Sequence, residues 1–167
     1  LTLKVNEAAT LVATVLPANA TDKTIEWTSS DNEVVEVARG RLLAHKAGDA
    51  VITATAKDGQ GAKATVTVKV IVEAESVEVS GAKHVAINGT VTLAATVAPE
   101  NATDKTVTWT TDNDKIATVD KNGVLTGVAE GKVVVTATTA NGKTANISVY
   151  VTKVAIDGTQ DEVYNTA

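Results

Sequence analysis

One internal repeat constrains the fold of this chain more than any other feature of its sequence. Residues 11–28 read LVATVLPANATDKTIEWT, and residues 93–110 read LAATVAPENATDKTVTWT. A repeat of this length is typical of a chain that folds as consecutive copies of one domain. We therefore expect a first domain over residues 1–72, a second over 73–153, and a separate tail over 154–167.

Both copies carry the alternating pattern of half-buried β-strands. In the second copy Leu93, Ala95 and Val97 are expected to face inward, and the same alternation occurs in residues 11–16 of the first copy. Valine and threonine, which favour extended strands, dominate the composition, and Asn-Gly pairs separate the apolar segments. Short strands at this spacing predict an all-β fold with a seven-stranded sandwich in each copy.

Each copy has one tryptophan, Trp27 in the first and Trp109 in the second, in the middle of a predicted strand. A ring of this size can span two sheets about 10 Å apart, which suits a chain that has no cysteine to form a disulfide bridge. The alternative is that the rings form a platform for a ligand. We predict that both tryptophans belong to the structural core.

These residues resemble the bacterial Ig-like domains of group 2. The family pattern has a strand followed by proline and then Asn-Ala-Thr-Asp-Lys-Thr before the tryptophan, and residues 99–109 carry it. The first copy departs from the pattern at Ala44, where the second has Gly127, and in a shorter turn at Arg39 and Gly40. The resemblance covers nearly the whole chain and implies tandem immunoglobulin-like Greek-key β-sandwiches.

Composition and charge exclude several classes of protein. The net charge is -5 and the only arginines are Arg39 and Arg41, so no basic stripe is present and we expect no nucleic-acid partner. No apolar segment approaches the roughly 20 residues of a membrane-spanning helix, so we expect no membrane span. No nucleophile with a base and no placed pair of carboxylates is apparent. We therefore predict no catalytic residues, no cofactor and no enzymatic activity for this chain.

Three acidic residues are the candidates for a calcium site. Asp112, Asp114 and Asp120 follow the tryptophan strand of the second copy, and carboxylate oxygens suit calcium. They lack the spacing and the glycine of an EF-hand loop, so we favour solvated turn residues and predict no metal. His45 and His84 occupy non-equivalent positions in the two copies, and we interpret them as surface residues.

The start of the first copy differs from the start of the second. Leu1 aligns with Lys83, so residues 76–81 have no counterpart in the first copy. We therefore expect the first domain to lack its first strand and the chain to be part of a larger protein. A spare strand at one end and a missing strand at the other would also allow one chain to complete the sheet of a second.

The tail fits neither copy in full. It resembles the start of the family 9 carbohydrate-binding modules of bacterial xylanases, which implies that another domain follows. The matching residues are Ile156, Asp157, Gly158, Asp161, Glu162 and Tyr164. The alternative is that residues 154–158 copy residues 77–81 and begin a third Ig-like repeat.

These observations favour a structural function. The family resemblance implies a non-catalytic spacer or stalk in a larger extracellular bacterial protein, secreted or on the cell surface, such as a multidomain xylanase. The alternative is a module of a cell-surface adhesin, or of a phage virion, that binds a host protein or glycan. The expected partners are neighbouring domains of the same chain and a cell-surface protein or polysaccharide.

Overall fold

The computed structural model describes residues 1–57 and 61–153, which form β-strands and no helix. Two compact units are present: unit 1 is Leu1–Glu73, and unit 2 begins at Ala74. The all-β prediction is confirmed. The strands of unit 1 are β1 (Thr2–Lys4), β2 (Ala8–Thr10), β3 (Ile25–Ser29), β4 (Val35–Ala38), β5 (Arg41–Ala44), β6 (Gly48–Ala56) and β7 (Lys63–Ile71). The strands of unit 2 are β8 (Ser76–Ser80), β9 (His84–Ala86), β10 (Thr90–Thr92), β11 (Ala94–Ala98), β12 (Val107–Thr111), β13 (Ala117–Val119), β14 (Val124–Gly127), β15 (Gly131–Thr139) and β16 (Thr144–Thr152).

Unit 1 is a sandwich of two sheets. One sheet has the order β1-β7-β6-β3, and the other has the order β2-β5-β4. Alternate valine, leucine and isoleucine side chains of both sheets meet in one apolar core, in which Val35, Leu42 and Val68 are fully buried. The period of two along each strand therefore separates a dry inner face from a wet outer face.

Unit 2 repeats this arrangement and adds one pair of strands. Its larger sheet has the order β12-β15-β16-β9, and the facing strands have the order β10-β14-β13. The core between them contains Leu125, Val133 and Val149, all fully buried. The additional pair is β11 with β8, which are antiparallel, and β8 also packs against β15 and β16.

In each unit one short segment joins the two sheets, because its first half pairs with one sheet and its second half with the other. This segment is β1 and β2 in unit 1, and β9 and β10 in unit 2. In unit 1, β1 is parallel to β7, whereas β2 is antiparallel to β5 in the opposite sheet. The crossing occurs at Asn6, whose φ is 67°, and the equivalent Asn88 in unit 2 has a φ of 63°. Asparagine tolerates this left-handed conformation better than most residues. Unit 1 has seven strands with this split edge, and unit 2 has nine because it also contains the pair β8 and β11.

One expected strand is absent from unit 1. The alternation in residues 11–16 predicts a strand, yet residues 11–15 have no regular structure, whereas the equivalent residues of unit 2 form β11. In unit 2 this strand pairs with β8, for example Ala95 with Val79. In the described part of unit 1 no strand takes the place of β8. Alternation alone does not form a strand, because the backbone groups also need a partner.

Candidate functional site

The two tryptophans occupy equivalent positions in the two units. Trp27 pairs with Ala54 across β3 and β6, and Trp109 pairs with Ala137 across β12 and β15. Both side chains are partly buried. Trp27 packs against the core of unit 1, whereas Trp109 packs against two apolar clusters, the main core of unit 2 and a second cluster beneath β8 that contains Val77.

A glycine turn lies directly over each indole ring. A Cβ added to Gly123 would lie 3.0 Å from Trp109 Cε2 and 2.7 Å from the carbonyl oxygen of Leu93. Gly40 has the same relation to Trp27, at 3.2 Å from Cζ2. Both glycines also have positive φ angles, 79° and 85°. The turns between β4 and β5 and between β13 and β14 therefore require glycine, because the backbone is in a left-handed conformation and a side chain would have no room. This contact was not predicted from the sequence, where the glycines signalled only a turn.

Asp120 organises the turn that carries Gly123. Its Oδ1 accepts hydrogen bonds from the backbone N–H groups of Asn122 at 2.8 Å and Val124 at 2.9 Å. The hydrogen bond from the Val124 N–H is the largest of the causes that hold the pKa of the Asp120 carboxyl below its ordinary value. This carboxylate is thus engaged as a turn cap, in a position where the first copy has Ala38.

The other two candidate calcium ligands have separate surroundings. Asp112 Oδ1 accepts a hydrogen bond from the Val134 backbone N–H at 2.9 Å, which ties the end of β12 to β15. Asp114 is exposed in the loop before β13. Among the described residues, no group of three or more histidine, cysteine, aspartate or glutamate side chains is placed to hold a metal ion. The structure does not bring the three aspartates together as a site.

Two equivalent aspartates, Asp22 in unit 1 and Asp104 in unit 2, shape the loop before the tryptophan strand of each unit. Asp104 Oδ1 accepts hydrogen bonds from the hydroxyl of Thr106 at 2.6 Å and from its backbone N–H at 2.8 Å. The hydroxyl contributes most to lowering the pKa of Asp104, and the hydroxyl of Thr24 does the same for Asp22 in unit 1. The sequence signal for this pair is Thr-Asp-Lys-Thr, which occurs in both copies.

The two histidines have different environments. His45 is exposed, and its Nε2 lies 3.2 Å from Glu36 Oε2. His84 is partly buried and stacks on the ring of Tyr150, with the ring centroids 5.5 Å apart. His45 lies in the loop that follows β5, and His84 is the first residue of β9. Each histidine therefore has local surroundings within its own unit.

Unit 1 has an apolar groove where unit 2 has β8. The groove has a volume of about 220 Å³. Its lining includes Ala13, Val15, Ile25, Ala54 and Ala64. The groove was not predicted from the sequence, because it depends on which side chains distant strands bring together. The tail, residues 154–167, lies outside the described residues.

Comparisons with known proteins agree with this architecture. An Ig-like virion protein of Serratia phage KSP90 is 36% identical over 149 residues, which are 86% of this chain and 58% of that protein. A lacto-N-biosidase of Bifidobacterium bifidum is 50% identical over 74 residues, which are 44% of this chain and 7% of that enzyme. This chain therefore spans less than two thirds of either relative.

A solved structure, the adhesin InvE of Yersinia pseudotuberculosis, is 16% identical with a TM-score of 0.49, over 90% of this chain and 56% of that one. No helix in the described part of the chain is long and apolar enough to cross a membrane.

The family comparison assigns both repeats. The sequence model of the bacterial Ig-like domain (group 2) matches residues 1–72 and again residues 73–149. This match confirms the resemblance drawn from the repeat and from the residues before each tryptophan. Domains of this family are non-catalytic structural modules, so the prediction that this chain is not itself an enzyme is confirmed as well. With both copies matched, the chain belongs to the bacterial Ig-like domain (group 2) family.

Proposed function

We propose that this chain is a spacer or stalk module that separates the working domains of a larger extracellular bacterial protein, such as a polysaccharide-degrading enzyme. The main support is the match to the biosidase, in which the aligned segment is 44% of this chain but 7% of the enzyme. A segment of that size in a non-catalytic family is an accessory part of the whole. Its partners are then the neighbouring domains of the same polypeptide.

The internal organisation of the units suits a mechanical role. In unit 2, β15 and β16 pair continuously from Gly131 with Val151 to Thr138 with Thr144. Val133, Val135 and Val149 beneath this pairing are fully buried. Among the described residues, no buried side-chain nitrogen or oxygen lacks a hydrogen-bond partner. The buried polar side chains of the described residues therefore take part in the hydrogen bonding of the fold.

A binding module is the second candidate function. It is favoured by the phage virion protein, because that match covers 86% of this chain and therefore extends over both repeats. In this alternative the chain is a module of a virion protein or of a cell-surface adhesin and binds a host protein or a glycan. The two candidates differ in one property: a spacer has no partner outside its own polypeptide.

A binding assay separates the two functions. The purified chain, fluorescently labelled at an added terminal cysteine, is incubated with insoluble xylan, with cellulose and with intact bacterial cells. A spacer is expected to remain in the supernatant in every case, at the level of a labelled protein of similar charge. Saturable retention by a polysaccharide or by cells would contradict the spacer proposal and support the binding module.

An exchange experiment tests the spacer role in an enzyme. The segment of the Bifidobacterium biosidase that resembles this chain is replaced by residues 73–153, which include the whole of β16, and hydrolysis by the chimera is compared with that of the parent enzyme. We expect turnover within about twofold, since an accessory module makes no contact with the reacting atoms. A control insert carries Val135→Asp, which places a charge in the core and should make the insert sensitive to proteases. Loss of turnover with a protease-resistant, unmutated insert would overturn the proposal.

A further inference from the structure

A buried hydroxyl at the end of β15 fixes the side chain of Asn141. Thr139 is 4% exposed, and its Oγ1 accepts a hydrogen bond from the Lys143 backbone N–H at 2.9 Å. The same hydroxyl donates to Asn141 Oδ1 at 2.7 Å. Because Oδ1 is engaged in this way, the Nδ2 group of the amide is left to donate to another part of the chain.

The acceptor of that amide is the backbone at the point where the chain enters unit 2. Asn141 Nδ2 donates to the carbonyl oxygen of Ala74 at 2.7 Å, although the two residues are 67 positions apart in the sequence. Ala74 is the first residue of unit 2 and is 5% exposed. The Glu75 N–H then donates to the Ala98 carbonyl oxygen at 2.8 Å. The entry is thus tied both to the hairpin between β15 and β16 and to β11.

The chain enters and leaves unit 2 at opposite ends of β16. The bond to Asn141 holds Ala74 beside the hairpin, where β16 begins. The strand ends at Thr152, about 27 Å further along for nine extended residues. There β9 runs parallel to β16, and the Ile87 N–H donates to the Thr152 carbonyl oxygen at 2.9 Å. Tension along the chain therefore pulls along these strands, and the bonds between them, which lie across the strands, must break together.

β8, which follows Ala74, lies outside the four-stranded sheet of unit 2. It pairs with β11 in a two-stranded sheet, whereas β9 belongs to the sheet that contains β15 and β16. Towards β15 and β16, β8 makes side-chain contacts in the apolar cluster that contains Val77 and Ala137. The bond from Asn141 to Ala74 precedes these contacts along the chain. It therefore carries force from Ala74 into the hairpin before that force reaches β8.

The hydroxyl is specific to unit 2. Thr139 pairs with Val107 across β15 and β12, and the equivalent pair in unit 1 is Ala56 with Ile25. An alanine has no hydroxyl with which to orient an amide. Burying a hydroxyl costs free energy unless it is hydrogen-bonded, and in unit 2 this cost is offset at the residue that holds the entry of the chain.

We propose that Thr139 and Asn141 form a latch that keeps β8 in place when the chain is under tension. The inference rests on the spacer role proposed above, because a module that connects working domains transmits the forces that act on them. With the latch closed, tension at Ala74 is shared between the hairpin and β11. With the latch open, β8 is pulled from its apolar cluster first, and the side chains beneath Val77 become exposed. The latch thus raises the force that unit 2 withstands.

Pulling on single molecules of the full chain tests the latch. The chain has no cysteine, so a pair of introduced cysteines defines the direction of pulling. Attachment at Glu73→Cys and Lys153→Cys loads unit 2 from its entry to its exit. At a fixed force in optical tweezers, we expect Asn141→Asp to shorten the lifetime of folded unit 2 at least about tenfold. The reason is that the carboxylate keeps the oxygen that Thr139 contacts but cannot donate to Ala74.

Two controls separate a latch from a general loss of stability. Asn146→Asp makes the same change at an exposed position of β16, and its lifetime should stay within about twofold of that of the unchanged chain. Attachment at Lys121→Cys and Lys153→Cys pulls instead from the turn before β14, along a path that does not begin at β8. In this second direction Asn141→Asp and Asn146→Asp should give equal lifetimes.

The outcomes that overturn the proposal are specific to direction. One is a lifetime of Asn141→Asp equal to that of Asn146→Asp in the first direction, and the other is an equal shortening in both directions. Thr139→Val keeps the volume of the side chain and removes the hydroxyl, and should shorten the lifetime chiefly in the first direction. Retention by a polysaccharide in the binding assay would contradict the spacer role and leave these lifetimes unchanged, so the two proposals fail separately.

Discussion

Residues 12–16 in unit 1 and residues 94–98 in unit 2 have similar sequences, VATVL and AATVA, and different structures. The second segment is strand β11 and buries Val97, whereas residues 12–15 are irregular and Val12 is 89% exposed. Both segments begin from the same anchor, since Leu11 and Leu93 donate backbone hydrogen bonds to Gly40 and Gly123 at 2.7 and 2.9 Å. The difference begins after that anchor, where only unit 2 has β8.

The comparison shows that a strand in this fold is a property of a pair of segments. The alternating valines and alanines supply one apolar face, but the backbone of that segment needs a second strand to accept and donate hydrogen bonds. The larger sheet, which does not involve β8, has the same order in the two units. It is β1-β7-β6-β3 in unit 1 and, read in the same direction, β9-β16-β15-β12 in unit 2. The difference between the described parts of the two units at β8 and β11 is therefore local.

The largest expected effect concerns the two tryptophans. Trp109→Ala should destabilise unit 2 by about 3–5 kcal/mol, because the ring supports two apolar clusters. Trp27→Ala should destabilise unit 1 less, because its ring packs against one cluster. Hydrogen exchange of β15 and of β6, measured in the full chain with denaturant, reports the two units separately. Equal losses in both units would show that the Trp109 ring adds no stability beneath β8.

The second prediction uses the pair Gly127 and Ala44. A Cβ on Gly127 would lie 2.5 Å from the Ala86 carbonyl oxygen and 2.9 Å from Val151 Cγ1, so Gly127→Ala should cost unit 2 about 2–3 kcal/mol. Unit 1 already holds the methyl of Ala44, which is fully buried. The reverse change, Ala44→Gly, removes a buried methyl group and increases backbone freedom, and should cost about 1–2 kcal/mol. Denaturant unfolding of single-tryptophan variants, made with Trp27→Phe or Trp109→Phe, measures each unit. A neutral Gly127→Ala would show that β9 and β14 can move apart.

A smaller effect is expected at the valine that β8 covers in unit 2 and at its equivalent in unit 1. Val97→Ala should destabilise unit 2 by about 1.5 kcal/mol, since it removes buried methyl groups beneath β8. Val15→Ala at the equivalent position should cost less than half of this, because no strand covers that side chain in unit 1. The same single-tryptophan unfolding experiment applies. A cost for Val15→Ala as large as that for Val97→Ala would indicate that the groove is already covered in the isolated chain.

The smallest prediction concerns pH. Hydrogen bonds, chiefly from the Val124 N–H, lower the pKa of Asp120 in the folded protein from 3.8. The stabilisation that this carboxylate gives is therefore complete above its unfolded pKa and is lost as the pH falls through the lower folded value. Asp120→Asn should reduce the acid sensitivity of unit 2 and leave unit 1, which has Ala38 there, unchanged. The measurement is unfolding of each unit at a series of acidic pH values, and an unchanged pH dependence would contradict it.

Much of this fold could be predicted from the sequence, because the repeat and the alternation of residues such as Leu93 and Val97 are local signals. The contacts of Gly123 with the Trp109 ring could not, since a glycine in a turn signals conformation and carries no information about which side chain approaches it. The same holds for the candidate calcium ligands: sequence proximity suggested Asp112, Asp114 and Asp120, but their positions depend on turn geometry, which directs two of the carboxylates to backbone amides. The groove likewise follows from strands that are distant in the sequence.

Hydrogen exchange at single-residue resolution, measured by NMR at a concentration where the chain is monomeric, tests whether pairing with β8 is what makes residues 94–98 a strand. Residues 12–16 have no such partner in the described part of unit 1. We predict that amides of residues 94–98 that bond to β8 exchange slowly, while those of residues 12–16 exchange at rates close to those of an unstructured peptide. Equal protection of the two segments in the monomer would contradict this account.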